Sequence, residues 1–89
     1  MELRLGHPEA ALPILERATE YFREHGRIGN LVSNLLRVSE ALVLVGRSDD
    51  AELPLTEAAL WAGRLGLVRD LAEVVRIREL VPVDEQSIC

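Results

Sequence analysis

An internal repeat is the sequence feature that most constrains how this chain folds. A shift of 40 residues, which is the separation of Gly6 from Gly46, aligns the chain with itself without a gap. The aligned positions share a glycine, a small residue or a leucine: Gly6 with Gly46, Ala11 with Ala51, Leu15 with Leu55, Ala18 with Ala58, Gly26 with Gly66 and Leu31 with Leu71. A self-match at a period of roughly 20–50 residues is typical of stacked repeats rather than of a compact bundle. We therefore expect about two stacked units.

Apolar residues inside the repeat follow the spacing of a helix face. Between Asn30 and Ala62 they recur every three or four residues on both sides of a hinge at residues 46–49. They are Leu31, Leu35, Val38, Leu42 and Val45 before the hinge, and Ala51, Leu55, Ala58 and Trp61 after it. The stretch therefore predicts two antiparallel helices that form a hairpin.

Start and stop signals divide the chain into about four helices. The first predicted helix runs from Pro8 to about His25, and the second from about Asn30 as N-cap to Val45. The third has Ser48 or Asp49 as N-cap and runs to about Leu65, and the fourth starts near Val68 or Asp70 and is ended by Pro82. Pro13 predicts a kink in the first helix or a late start. Residues 1–81 are expected to form one domain, and residues 82–89, which show no period, a flexible C-terminal tail.

Charge and cysteine content exclude several classes of protein. The chain has 10 basic and 15 acidic residues and a net charge of -5, the wrong sign for nucleic acid or an anionic membrane surface. No apolar run is longer than the five residues of 41–45, which is too short to span a bilayer. The one cysteine, Cys89, cannot form an internal disulfide, and no apolar leader opens the sequence. We expect a cytoplasmic protein with no nucleic-acid or membrane partner.

The polar residues offer no pattern that indicates catalysis or a cofactor. His7 and His25 lack neighbouring His or Cys at the spacing of a zinc site. The glycines stand singly at predicted helix ends, so they form no phosphate-binding loop. An acidic stripe of Glu16, Glu20 and Glu24 would suit a basic peptide or, the reading we favour, a solvated helix face. We therefore predict a protein that is not an enzyme and has no metal or cofactor.

The order of large and small residues resembles that of the tetratricopeptide repeats. Leu35, Val38, Ser39 and Leu42, then Gly46, then Ala51, Leu55 and Ala58 occupy the family's order and spacing, and Gly6, Ala11, Leu15 and Ala18 repeat its second half. The long period resembles that of the divergent repeats of large bacterial ATP-dependent transcription regulators more than that of short peptide-binding repeats. The resemblance implies antiparallel hairpins of an alpha-alpha solenoid. It also implies a non-catalytic protein–protein interaction module, either a fragment of a bacterial regulator or a small partner-binding protein.

The pattern also predicts which residues are buried and which form contacts. Small residues where helices cross, with larger ones beside them, place Leu15, Val38, Leu42, Leu55 and Ala58 in the core. The first and fourth helices would each lack a neighbour, which predicts a homodimer or a segment of a longer repeat protein. The candidate contact residues are Trp61, Leu71, Val74, Val75 and Leu80. Trp61 matches Tyr21 in the repeat, which favours a core position over a partner anchor. A self-associating structural homo-oligomer with no other ligand is the alternative function.

Overall fold

The computed structural model describes residues 8–81, which fold into four α-helices. Their bounds are α1 Pro8–Glu24, α2 Ile28–Leu44, α3 Ser48–Leu65 and α4 Val68–Leu80. The predictions of an all-α fold and of about four helices are confirmed, since no strand occurs between residues 8 and 81. Gly6 and the predicted tail of residues 82–89 lie outside the described residues. None of the four helices combines the length and the apolar composition that a membrane span requires.

Helix α2 lies at the centre of a compact bundle. It packs against α1, α3 and α4, while α3 also packs against α4. Eight of the seventeen residues of α2 are buried, more than in any other helix. All of them except Ser39 are apolar, and they lie on several sides of the helix. This explains why α2 has the most hydrophobic sequence of the four helices. The bundle measures 39 × 29 × 19 Å, so its smallest dimension is close to two helix diameters of about 10 Å.

The buried residues form two clusters that share α2 and α3. One joins α2 and α3 to α4 through Val74 and Ile77, and the other joins them to α1 through Ala11, Leu12 and Leu15. All five residues expected in the core, Leu15, Val38, Leu42, Leu55 and Ala58, are buried. Among the other predicted packing residues Ala11, Leu35, Ser39 and Ala51 are also buried, whereas Ala18 is half-buried and Gly46 lies in an exposed turn.

The same turn joins each helix to the next. Gly26, Gly46 and Gly66 adopt the left-handed conformation, with φ of 68°, 84° and 70°. The residue after each glycine donates its amide to a carbonyl five residues earlier, at 3.0, 2.8 and 2.9 Å. These bonds satisfy carbonyls that the ending helix leaves unpaired. The four helices begin at Pro8, Ile28, Ser48 and Val68, at intervals of 20 residues.

The predicted N-caps are wrong because the next helix starts directly after each turn. Arg27 and Arg47 occupy the N-cap positions of α2 and α3, and neither side chain forms a capping hydrogen bond. Asn30 and Ser48 lie within the helices that they were expected to cap. Arg47 instead binds Asp50, with 2.9 Å between Nε and Oδ2. The late start expected from Pro13 is also wrong, since α1 begins at Pro8 and continues through this residue.

Two glycines near the end of α3 give a matched test of the turn. We expect Gly66→Ala to lower the free energy of unfolding by about 1–2 kcal/mol, because an alanine at positive φ is strained. Gly63→Ala should raise it by about 0.5–1 kcal/mol, because Gly63 lies inside the helix. A β-carbon at either position meets no atom within 4 Å, so steric clash does not enter. Urea denaturation of the two variants checks this, and shifts of the same sign would contradict it.

Candidate interaction surfaces

A shallow groove lies between α1 and α3, above α2. It has a volume of about 350 Å³. Its floor is apolar and comes from Leu35 and Val38 of α2. The wall on α1 is polar, and the wall on α3 combines apolar with acidic side chains; together they consist of Glu16, Thr19, Glu20, Arg23, Leu53, Pro54 and Glu57.

One end of this groove is closed by an ion pair between α1 and α3. Arg23 binds the Glu57 carboxylate with both terminal nitrogens, and the Nη2–Oε1 distance is 3.2 Å. Trp61 donates its indole Nε1–H to the same carboxylate at 3.4 Å. The hydrogen bonds from Arg23 hold the pKa of Glu57 below its ordinary value, against the opposing effect of partial burial. This pair therefore adds stability at neutral pH that is lost as the pH falls through the pKa of Glu57 in the folded protein.

A second depression continues along α1 toward its N-terminus. It has a volume of about 390 Å³ and is lined by Glu9, Leu12 and Pro13 of α1 and by Val45 and Arg47 from the turn before α3. Glu16 lines this depression as well as the groove. The side of α1 that faces both therefore carries Glu9, Glu16 and Glu20. Glu24, the last residue of the predicted acidic stripe, lines neither.

Polar contacts also fix the position of α2 relative to its neighbours. Asn34 donates its side-chain amide to the carbonyl of Leu15 at 2.6 Å and to the Thr19 hydroxyl at 2.7 Å, which ties α2 to α1. Between α2 and α4, two arginines and two glutamates form one network: Arg37, Glu40, Glu73 and Arg76. Hydrogen bonds, chiefly from Arg76, hold the pKa of Glu73 below its ordinary value. These contacts are structural, because they hold α1 and α4 in fixed positions on α2.

The histidine within the described residues is used in packing. The imidazole of His25 stacks on the ring of Tyr21, with ring centroids 4.2 Å apart, and its Nδ1 lies 2.8 Å from the Tyr21 carbonyl oxygen. Between residues 8 and 81, no group of three or more His, Cys, Asp or Glu side chains is arranged to hold a metal ion. His7, the other histidine, lies outside this range.

The predicted contact residues occupy different environments. Val75 and Leu80 are exposed on α4, while Trp61 and Leu71 are half-buried and pack against the core. Val74 lies inside the core at 5% exposure, so its side chain is absent from the surface where we expected it. Val74 and Val75 lie about 100° apart around the helix, which explains why one points inward and the other outward.

Repeat positions that are covered in α2 are open in α4. Leu31, Leu35 and Val32 are at most 3% exposed. Their partners at the 40-residue shift are Leu71, which is half-buried, Val75, which is 56% exposed, and Ala72, which is exposed. Leu31, Val32 and Leu35 pack in one cluster with Leu55 and Ala58 of α3. Helix α4 has no such neighbour on this face among the described residues.

Helix α1 likewise has apolar side chains that are more exposed than those at the matching repeat positions of α3. Ile14 and Tyr21 are 70% and 51% exposed, whereas their partners Pro54 and Trp61 are half-buried in α3. Ile14 and Tyr21 are seven residues apart and therefore share one side of α1. Both outer helices thus present apolar side chains at positions that the inner helices use for packing.

Comparison of the chain with protein-family models, with curated proteins and with solved structures finds no match. The sequence predicted the acidic side of α1 and the exposed Val75. It did not predict the groove, because a groove needs two helices side by side. The 20-residue spacing of the glycines at 6, 26, 46 and 66 was the available sequence signal for that arrangement.

Proposed function

We propose that this chain is a cytoplasmic, non-catalytic protein–protein interaction module built from tetratricopeptide-like helical hairpins. The regular 20-residue spacing of the helices and their identical turns support a repeat architecture. A further support is that no Cα atom of α1 comes within 8 Å of α4, whereas a closed four-helix bundle would make them neighbours. A solenoid instead adds each helix beside the preceding ones.

The observation that carries this proposal is the exposure of apolar side chains at repeat positions that are buried or half-buried elsewhere in the chain. Exposed apolar patches of several hundred Å² on a protein surface usually mark contact sites. Val68 and Val75 on α4, and Ile14 and Tyr21 on α1, are more than half exposed. Surfaces of this kind suit another protein better than a small molecule, since they are open and lack convergent polar groups.

Affinity capture from a bacterial lysate tests the module. The chain is immobilised beside a double variant, Ile14→Glu with Val75→Glu, which removes apolar surface without touching a buried residue. We expect partners that the wild type retains and the variant loses. Recovery of the same proteins by both, together with turnover of a substrate by the wild type in a hydrolase screen, would contradict a binding role.

A self-associating structural homo-oligomer, either a dimer or a longer assembly, is the second candidate function, and the complementary exposure of α1 and α4 favours it. In the repeat, α1 corresponds to α3 and α4 corresponds to α2. Packing of α1 from one copy on α4 of another would therefore reproduce the contact between α2 and α3. Packing of two α4 helices against each other would cover the same apolar face. A longer repeat protein that supplies the neighbours within one chain would satisfy the same surfaces.

A further inference from the structure

The groove between α1 and α3 has a chemistry that selects its ligand. Its α1 wall carries two carboxylates four residues apart, Glu16 and Glu20, and its α3 wall carries Glu57. The cation that lines it, Arg23, holds its guanidinium on Glu57. Within residues 8–81, Glu16 and Glu20 form no ion pair. The open part of the groove is therefore anionic.

Two like charges at this spacing on a helix repel each other. Residues i and i+4 lie about 5–6 Å apart on the helix surface, so Glu16 and Glu20 destabilise α1 slightly when both are ionised. A cation placed between them would remove this repulsion and form charge-assisted hydrogen bonds with both. The groove therefore favours a positively charged ligand group on its α1 side.

The opposite wall favours an apolar part of the same ligand. Leu53 is 81% exposed, which makes it the most exposed large apolar side chain of residues 8–81, and half-buried Pro54 lies beside it. With Val38 on the floor, these residues form an apolar strip facing the two carboxylates. An arginine or lysine side chain matches both walls, because its aliphatic stem covers apolar surface while its charged end reaches a carboxylate.

We propose that this groove binds an extended, basic segment of a partner protein, with one arginine or lysine held between Glu16 and Glu20 and an apolar residue on Leu53 and Pro54. This inference rests on the proposed role in protein binding and names the kind of partner. The adjoining depression extends the acidic side of α1 to Glu9, about 17 Å from Glu20 along the helix, which matches about five extended residues. The net charge of -5 also attracts such a segment from a distance.

A labelled peptide provides the direct test. The probe is a fluorescein-labelled seven-residue peptide that alternates arginine and leucine, measured by fluorescence anisotropy at 0.15 M salt, roughly physiological ionic strength. We expect Glu16→Gln with Glu20→Gln to weaken binding about tenfold or more, since two charge-assisted contacts are lost. Leu53→Ser should weaken it about threefold or more.

Matched variants separate the groove from general charge attraction. Glu24→Gln with Glu79→Gln changes the net charge equally but lies outside the groove, and Leu44→Ser removes an exposed leucine from α2. We expect both controls to stay within about twofold of the wild type. The proposal would be overturned if the control pair Glu24→Gln with Glu79→Gln weakened peptide binding as much as the groove pair Glu16→Gln with Glu20→Gln. It would also be overturned if the groove pair did not weaken peptide binding. Equal binding of a peptide with aspartate in place of arginine would overturn it as well.

Two further outcomes separate this inference from the broader function. In the first, the variant Glu16→Gln with Glu20→Gln retains every lysate partner that the variant Ile14→Glu with Val75→Glu loses. That result would contradict the groove proposal but would still support a protein-binding role for the chain. If the groove pair lowered self-association of the isolated chain in sedimentation, the occupant would be a second copy, and the proposal of a basic partner segment would also fail. Circular dichroism of each variant checks that the helices are retained.

Discussion

Truncation of Leu31 to alanine should lower the free energy of unfolding by about 2–5 kcal/mol. The side chain is 1% exposed and packs on α3 in the cluster that also contains residues of α4. Its removal leaves a cavity that three helices surround, and a cavity of this kind closes only in part. A chain of this size has little stability in reserve, so the variant is expected to be partly unfolded near 37 °C.

Leu71→Ala is the matched control for Leu31→Ala. Leu71 occupies the same position in the repeat but is half-buried, so its truncation should cost only about 1 kcal/mol. Urea denaturation at low micromolar concentration measures both values. Equal losses at the two positions would show that α4 is covered as completely as α2 in solution. Equal losses that appeared only at high protein concentration would place a second copy on α4.

The sequence was sufficient to predict the helices because their signals are local. Apolar spacing such as that of Leu31, Leu35 and Leu42 is retained whatever the neighbouring helices do, and a glycine at positive φ ends a helix by its own backbone conformation. The predictions of N-cap residues were wrong for a related reason. Cap preferences assume a free residue before the helix, but the turn at Gly26 places Arg27 in that position.

The surfaces could not be predicted from the sequence alone, because they depend on which helices lie side by side. Arg23 and Glu57 are 34 residues apart, and no local rule pairs them. The same holds for Arg37 with Glu73 across α2 and α4. The prediction that Val74 lies on the surface was also wrong. Val74 and Val75 are adjacent on α4, and the three- and four-residue spacing of apolar residues does not decide which of the two faces the bundle.

The open face of α4 also determines whether the isolated chain associates with itself. If a second copy covers this face, the wild type should sediment above the monomer mass at high micromolar concentration. Val75→Glu would then place a carboxylate in an apolar contact. We expect that change to weaken association by about 2–4 kcal/mol, or about 30- to 1000-fold. Leu44→Glu adds the same charge to an exposed position on α2 and should leave the mass unchanged.

Two variants and their mixture distinguish the possible pairings. In a contact between α1 of one copy and α4 of another, Tyr21→Glu and Val75→Glu each abolish association alone. An equimolar mixture then regains one interface, because the first variant keeps an intact α4 and the second an intact α1. In a two-fold contact between α4 helices, Tyr21→Glu has no effect and mixing restores nothing. The first pairing also leaves free ends that add further copies, so its mass rises with concentration, whereas the second stops at the dimer. A wild type that remains monomeric throughout, with no change in Val75→Glu, would rule out both.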